Sequence, residues 1–284
     1  MKIQDEVLFY YGCGLTNEEI LSVTNFKRIQ ILSVLGRNKL KSNKPALKTI
    51  DVDNELYSFI VGSMLGDGCI SGNRKLDKYY TLNFGHGQKQ LGYLKWKKQF
   101  LESKGIKCSK VVKCISYNKR YKQPTISYHF KSEINRLFKQ LRYKFYPKGV
   151  KLLPRDLVIS PLALTIWFMD DASKATRSYQ FHTCGFSVKD CKWLIKYLFK
   201  TYGLSFNFQK DNTLYLQSVD IPSFNVLIIP YLLNYFKYKL ITNKIIRFYN
   251  PVSNKREEVL YKLGEFSEKP IKLVNTELSF NLKD

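Results

Sequence analysis

An apolar run that ends in an acid occurs twice in this chain. The first copy is Ile60-Val61-Gly62-Ser63-Met64-Leu65-Gly66-Asp67-Gly68, the second Leu164-Thr165-Ile166-Trp167-Phe168-Met169-Asp170-Asp171-Ala172, and Asp67 and Asp171 stand 104 positions apart. A carboxylate closing an apolar helix is doubly unfavourable, because the helix dipole repels it and the apolar face tends to bury it. Two such acids call for a compensating cation, and a divalent metal is the obvious one. Gly62 and Gly66, four residues apart, share a helix face and strip it of bulk, so another helix can approach closely.

The segments after the two acids are laid out alike. After Asp67, residues 79–84 alternate as a half-buried strand, 90–101 carry helical spacing closed by Gly105, and 110–116 and 124–130 read as strands joined by a basic turn. A further helix is expected from Ser132 as N-cap, with Ile134, Leu137, Phe138 and Leu141 on one face. After Asp171 the order recurs: a strand at 179–183, a helix from Ser187 to the stop at Gly203, a hairpin of 204–209 and 213–219, and a helix from Ile221 that Pro230 interrupts. With a shorter strand directly after each motif, each half reads α-β-β-α-β-β-α, and residues 146–161, rich in proline, form the linker. An α+β body of two related halves follows from this repeat. The expected divisions are an N-terminal extension at 1–50, halves at 51–150 and 151–250, and a polar tail at 251–284.

These residues resemble the LAGLIDADG homing endonucleases, in the form where one chain carries both motifs. On that nine-residue pattern Asp67 and Asp171 fall at the eighth position, Gly62 and Gly68 match, and Leu65 is a conservative departure; Ile166 and Ala172 stand where the pattern has glycine. The stretch Trp167-Phe168-Met169-Asp170-Asp171 is similar to an intron-encoded branch of monomeric enzymes, and the resemblance covers about residues 51–250. It implies a pseudo-twofold pair of αββαββα units, with the motif helices packed at the centre and two DNA-binding sheets forming a saddle. It also implies a monomer that cuts both strands of a long asymmetric DNA site across the minor groove, leaving 3′ overhangs.

Close packing of the two helices brings Asp67 and Asp171 together, and two neighbouring carboxylates do not both stay ionised unaided. Two or three Mg²⁺ ions, with Mn²⁺ as a substitute, supply the compensation and the paired-metal chemistry of in-line displacement. The family pattern adds the backbone carbonyls of Gly66 and Asp170 as ligands, and Lys151 and Lys239 as the active-site lysines of the two halves. Recognition is expected from strand residues able to read base edges or meet phosphates. In the first half these are Asn73, Arg74, Lys75, Lys78, Asn83, Lys113, Asn118, Arg120, Lys122 and Gln123; in the second, Lys174, Arg177, Gln180, Asn207, Gln209, Lys210 and Gln217.

Charge agrees with a polyanionic partner: 47 Lys+Arg against 23 Asp+Glu give +24, spread along the chain. No apolar run approaches the ~20 residues of a spanning helix. The six cysteines form no Cys-x-x-Cys pair and the three histidines lie far apart in sequence, so a zinc site lacks support and single buried thiols in a reducing compartment are expected. Residues 1–7 are polar and mix charges, unlike a secretory signal or an acid-poor transit peptide. The Lys, Asn, Ile, Tyr and Phe usage hints at an AT-rich genome, in a mitochondrion, chloroplast, bacterium or phage. Thr16 and Glu19 form a capping box before a basic helical stretch at 26–35, either a packing extension or a small helix-turn-helix on flanking DNA. Two further functions fit the same fold: an RNA-binding maturase acting on its own intron RNA, and a DNA-binding regulator that has lost cleavage. The retention of both acids favours the nuclease.

Overall fold

The computed structural model describes residues 3–12, 17–40, 50–73, 78–117, 124–147, 149–250 and 255–262. They form two compact units, Met1–Lys48 and Thr49–Asp284. The first holds α1 (Ile3–Gly12), α2 (Asn17–Val23) and α3 (Arg28–Arg37). The capping box proposed at Thr16 lies outside the described residues.

In the second unit the two motif runs become helices α4 (Asn54–Leu65) and α7 (Pro161–Asp171). Each starts at a side-chain cap: Asp53 accepts from the Leu56 N–H at 2.7 Å, and Ser160 from the Ala163 N–H at 3.2 Å, with Pro161 at the first helical position. Residues 56–65 and 163–169 are buried without a break, as expected of helices apolar all round.

After α4 come β1 (Cys69–Asn73), β2 (Lys78–Gly87), α5 (Leu91–Ser103), β3 (Val112–Ser116), β4 (Thr125–Lys131) and α6 (Arg136–Phe145). After α7 come β5 (Ala172–Lys174), β6 (Tyr179–His182), α8 (Val188–Tyr202), β7 (Phe206–Phe208), β8 (Thr213–Leu216) and α9 (Ile221–Ile228). Both halves build an antiparallel four-stranded sheet with the same order, β1-β2-β4-β3 and β5-β6-β8-β7. The α5 and α8 helices end alike, before Gly105 and Gly203 at φ +78° and +69°, in the left-handed region that glycine enters freely. One apolar core runs through both halves, from Phe59 and Phe84 to Phe168 and Phe181.

Several expectations are corrected. The third helix of the first half starts three residues late, capped by Asn135 in place of Ser132; Asn135 accepts from the Leu137 N–H at 2.9 Å. Ser132 is unavailable because its hydroxyl accepts from the Leu82 N–H at 2.9 Å and its own N–H donates to the Leu82 carbonyl, fastening it to β2. Ile134 is left outside the helix, 39% exposed. Of the described cysteines, all free, only Cys191 is buried, whereas Cys69, Cys114 and Cys184 are exposed. The expected boundary at 250 falls between β9 (Asn243–Asn250) and β10 (Lys255–Lys262), which pair antiparallel along their whole length. Among the described residues no helix is long and apolar enough to cross a membrane.

Candidate active site

The contact between α4 and α7 depends on missing side chains. A Cβ at Gly62 would stand 2.5 Å from the Ala163 carbonyl oxygen and 2.8 Å from the Ile166 Cβ; one at Gly66 would stand 2.5 Å from the Asp170 Cβ. Ile166 and Asp170 of the second helix therefore fill the space that the two glycines of the first vacate. Higher on the seam, the Ser160 hydroxyl donates to Ser58 Oγ at 2.7 Å.

Both acids lie where these helices end: Asp171 is the last residue of α7, and Asp67 stands two residues past α4. Burial pushes the Asp67 carboxyl up to about 6, with the charge of Asp170 adding to it. Burial, then the charges of Asp67 and Asp170, push Asp171 up to about 7. Without a cation, Asp171 is partly protonated near pH 7 and Asp67 nearer pH 6, chiefly because both are buried.

A lysine from each half closes the end of its own motif helix. Lys151 Nζ donates to the carbonyls of Gly66 and Gly68, at 3.3 and 3.4 Å. Lys239 Nζ donates to those of Met169 and Phe168, at 2.7 and 3.3 Å. The Gly66 and Met169 carbonyls stand at the C-terminal ends of the two helices, where a cation complements the dipole. Burial lowers the Lys151 ammonium and brings Lys239 down to about 8.

Asp170 does something the sequence did not suggest. Its carboxylate has no exposed surface and accepts from Lys97 Nζ at 2.7 and 2.8 Å, from the Tyr93 hydroxyl at 2.7 Å and from the Asp67 N–H at 3.2 Å. Lys97 is equally buried, its ammonium 4.6 Å and 4.8 Å from the ring centres of Tyr93 and Phe84. An acid of the second half is thus neutralised by a base of the first and grips the backbone of Asp67. His86 completes the cluster: its Nδ1 lies 3.5 Å from Asp67 Oδ2 and 3.2 Å from Gln90 Oε1, and its ring packs on Tyr93. Burial, and after it the charge of Lys97, bring it down to about 4, so it is neutral. Sequence separation hid His86; the alternation of β2, which buries Leu82, Phe84 and His86 together, is the signal that finds it.

Among the described residues, Asp67, His86 and Asp170 offer donor atoms within 4.8 Å of one another. This triad does not suit a metal, because both Asp170 oxygens are taken by the Lys97 ammonium, and a cation there would face another. The donors that suit a hard divalent ion are the Asp67 and Asp171 carboxylates, oxygen ligands whose pKa values burial and neighbouring carboxylates raise. The Gly66 carbonyl faces Lys151, which leaves it one further lone pair.

Each sheet keeps one face off the core. In the first, cross-strand pairing puts Cys69, Asn83 and Lys131 in one row and Gly85, His129 and Val112 in the next, opposite the buried Phe84 and Phe130. In the second, Ser173, Gln180, Tyr215 and Asn207 form a row across all four strands. Gln180 and Asn207 therefore lie on the face turned from the core, with Gln209, Lys210, Gln217 and Arg177 exposed near its margins. Three other candidates are placed differently. The Asn83 amide is spent inside the sheet, donating to Ser71 Oγ, the Thr81 carbonyl and the Cys69 carbonyl. Lys113 pairs with Tyr128 and Lys174 with the buried Tyr179, so both stand on the core-side parity, yet both are exposed: Lys113 on the edge strand β3, exposed throughout, and Lys174 at the end of β5. Arg74, Lys75, Asn118, Arg120, Lys122 and Gln123, and the side chains of Asn73 and Lys78, lie outside the described residues. His129, Lys131 and Tyr215 share these open rows, and strand parity is the signal that finds them.

Residues 57–224 match the model of the LAGLIDADG DNA endonuclease family. The chain is 31% identical over 170 residues to an uncharacterised protein of Methanocaldococcus jannaschii, covering 58% of this chain and 63% of that one. It is 27% identical over 234 residues to the cytochrome b mRNA maturase bI2 of Saccharomyces cerevisiae, covering 75% of this chain and 55% of the maturase. The chain therefore spans less than two thirds of the length of either relative. The structure of the homing endonuclease I-WcaI bound to its DNA recognition sequence superposes with a TM-score of 0.61 at 24% identity, over 69% of this chain and 89% of that one. That likeness fixes the fold.

Proposed function

The chain belongs to the LAGLIDADG DNA endonuclease family, and from that premise we propose that it is a site-specific endonuclease that hydrolyses both strands of a long, asymmetric DNA target with divalent metal ions. The observation that carries this is the meeting, at one seam, of an acid and a lysine from each half: Asp171 feels the charges of Asp67 and Lys151, and Lys239 those of Asp171 and Asp67. One chain supplies both sets, which supports a monomer.

In this reading Asp67 and Asp171 hold Mg²⁺, or Mn²⁺ in its place. The bound metal lowers the pKa of water and stabilises charge on the phosphate oxygens. The protein's own part is placement. Asp170 fixes the Asp67 backbone from across the seam, and Lys97 removes the charge that this would otherwise bury. Lys151 and Lys239 hold positive charge at the two helix ends, where negative charge develops on phosphate during hydrolysis. Lys239, brought down to about 8, is still largely an ammonium at neutral pH and gives up its Nζ proton more readily than an ordinary lysine. His86, neutral beside Asp67, adds no competing charge. The open rows on the two sheets present different residues, so each half reads a different half-site.

Incubating the purified chain and Mg²⁺ with a pool of randomised duplexes tests this. Sequenced ends should define one asymmetric site cut in both strands, and a chelator should abolish cutting. A pool that stays intact with metal present would overturn the proposal. A second reading rests on the similarity to the yeast mRNA maturase: the chain also binds its own intron RNA. Splicing of that intron in vitro, with and without the chain, decides it.

A further inference from the structure

The residues ahead of the first motif helix have a core of their own. Val7 of α1, Ile20 of α2, and Ile31, Val34 and Leu35 of α3 are buried together, with Leu8, Phe26 and Leu40 packed against them. Only residues 24–27 separate α2 from α3, and that turn is fastened at both ends. The Thr24 hydroxyl donates to the Ile20 carbonyl at 2.7 Å, the Phe26 N–H reaches Thr24 Oγ1 at 3.4 Å, and the Lys27 N–H donates to Gln30 Oε1 at 2.7 Å. Three short helices on one small core, with a tight turn between the last two, is the plan of a helix-turn-helix, whose final helix enters the major groove.

The outward stripe of α3 has the chemistry such a helix needs. Ile29 is 73% and Leu32 49% exposed, beside exposed Arg28, Ser33 and Arg37. Apolar groups there meet thymine methyls, and arginines meet guanine edges or phosphates. Gly36 lies on the same stripe, and nothing stands within 4 Å of where its Cβ would be, so the backbone itself can come close to a partner. Arg28 pairs with Glu18 at 3.3 Å in the open, a contact worth little against a phosphate. Lys39, Lys41, Lys44 and Lys48 follow in sequence, adding charge for sequence-independent contacts.

We infer that residues 3–40 are a second DNA-reading module, with α3 entering the major groove beside the site read by the two sheets. This rests on the reading that the chain binds DNA, and it adds a separate block of sequence to the target. The test is a binding selection without divalent metal, using the full chain and a duplex pool randomised over about four helical turns. The unmodified chain should enrich two separated blocks. The triple variant Arg28→Ala/Ser33→Ala/Arg37→Ala changes only exposed side chains; it should lose the flanking block and bind a duplex carrying both blocks at least tenfold more weakly, while binding a duplex trimmed to the central block as before. Ile31→Asp, which breaks the small core, should reproduce the same loss. A single block left unchanged by both variants would overturn the inference, and would point to α3 docking on protein instead. Loss of the central block with the flanking block retained would count against the endonuclease reading and leave this one standing.

Discussion

Asp170 shows most clearly how single residues set up this centre. A buried carboxylate held by one ammonium and one hydroxyl is stable only while its base is present. Lys97→Met should therefore destabilise the protein by about 3–5 kcal/mol in a denaturant titration. Lys97→Met combined with Asp170→Leu should recover much of that loss, and additive losses would show that the pair is not coupled. The acids at the mouth of the site give a second prediction. The folded-state values of Asp67 (about 6) and Asp171 (about 7) lie above the ordinary 3.8, so the folded chain binds those protons more tightly than the unfolded one. Their contribution to stability is complete below pH 4 and is lost as pH rises through 6 to 7. His86, lowered to about 4, works the other way between pH 4 and 6.5. The acids are therefore best read as the difference in Tm between the unmodified chain and Asp67→Asn/Asp171→Asn, both in chelator. That difference should widen in favour of the double variant up to about pH 7, and added Mn²⁺ should stabilise only the unmodified chain, more at pH 8 than at pH 5. A pH-independent difference would mean that the acids are not desolvated together.

At the scale of elements, the seam between α4 and α7 is set by glycine. Gly62→Ala drives a methyl against the Ala163 carbonyl, a backbone atom that cannot swing away. Overpacking of this kind costs about 1–3 kcal/mol, and here it should also part the two acids. Loss of cleavage beyond the loss of folded protein, followed by circular dichroism in parallel, checks this; unchanged stability would contradict the packing. The elements whose signals are local were legible in sequence. Helix α8 runs from the cap at Ser187 to the stop at Gly203, and both devices lie within the helix's own sequence. The start of α6 was not legible, because Ser132 looks like a cap until β2 claims its hydroxyl from 50 residues away. The site divides in the same way. The two acids and two lysines could be placed by the repeat and its family resemblance, whereas Lys97, Tyr93 and His86 become part of it only when α5 and β2 fold against α7.

At the scale of the whole molecule, the charge is the largest quantity. With +24 distributed over the chain, binding to duplex must fall steeply with salt. Neutralising ~8 phosphates gives a log–log slope of about −7. Titrations of target duplex and intron RNA over one salt series separate the two readings: a steep slope and tighter binding on DNA support the endonuclease, and a shallow DNA slope with tight RNA binding supports the maturase. The central claim is that the two halves join one acid each into a single cleaving centre. It is tested most directly by Asp67→Asn and Asp171→Asn, made separately and assayed with Mg²⁺ on the selected duplex. Each variant should bind that duplex as the unmodified chain does and fail to make the double-strand break; full double-strand cutting by either one would contradict the account.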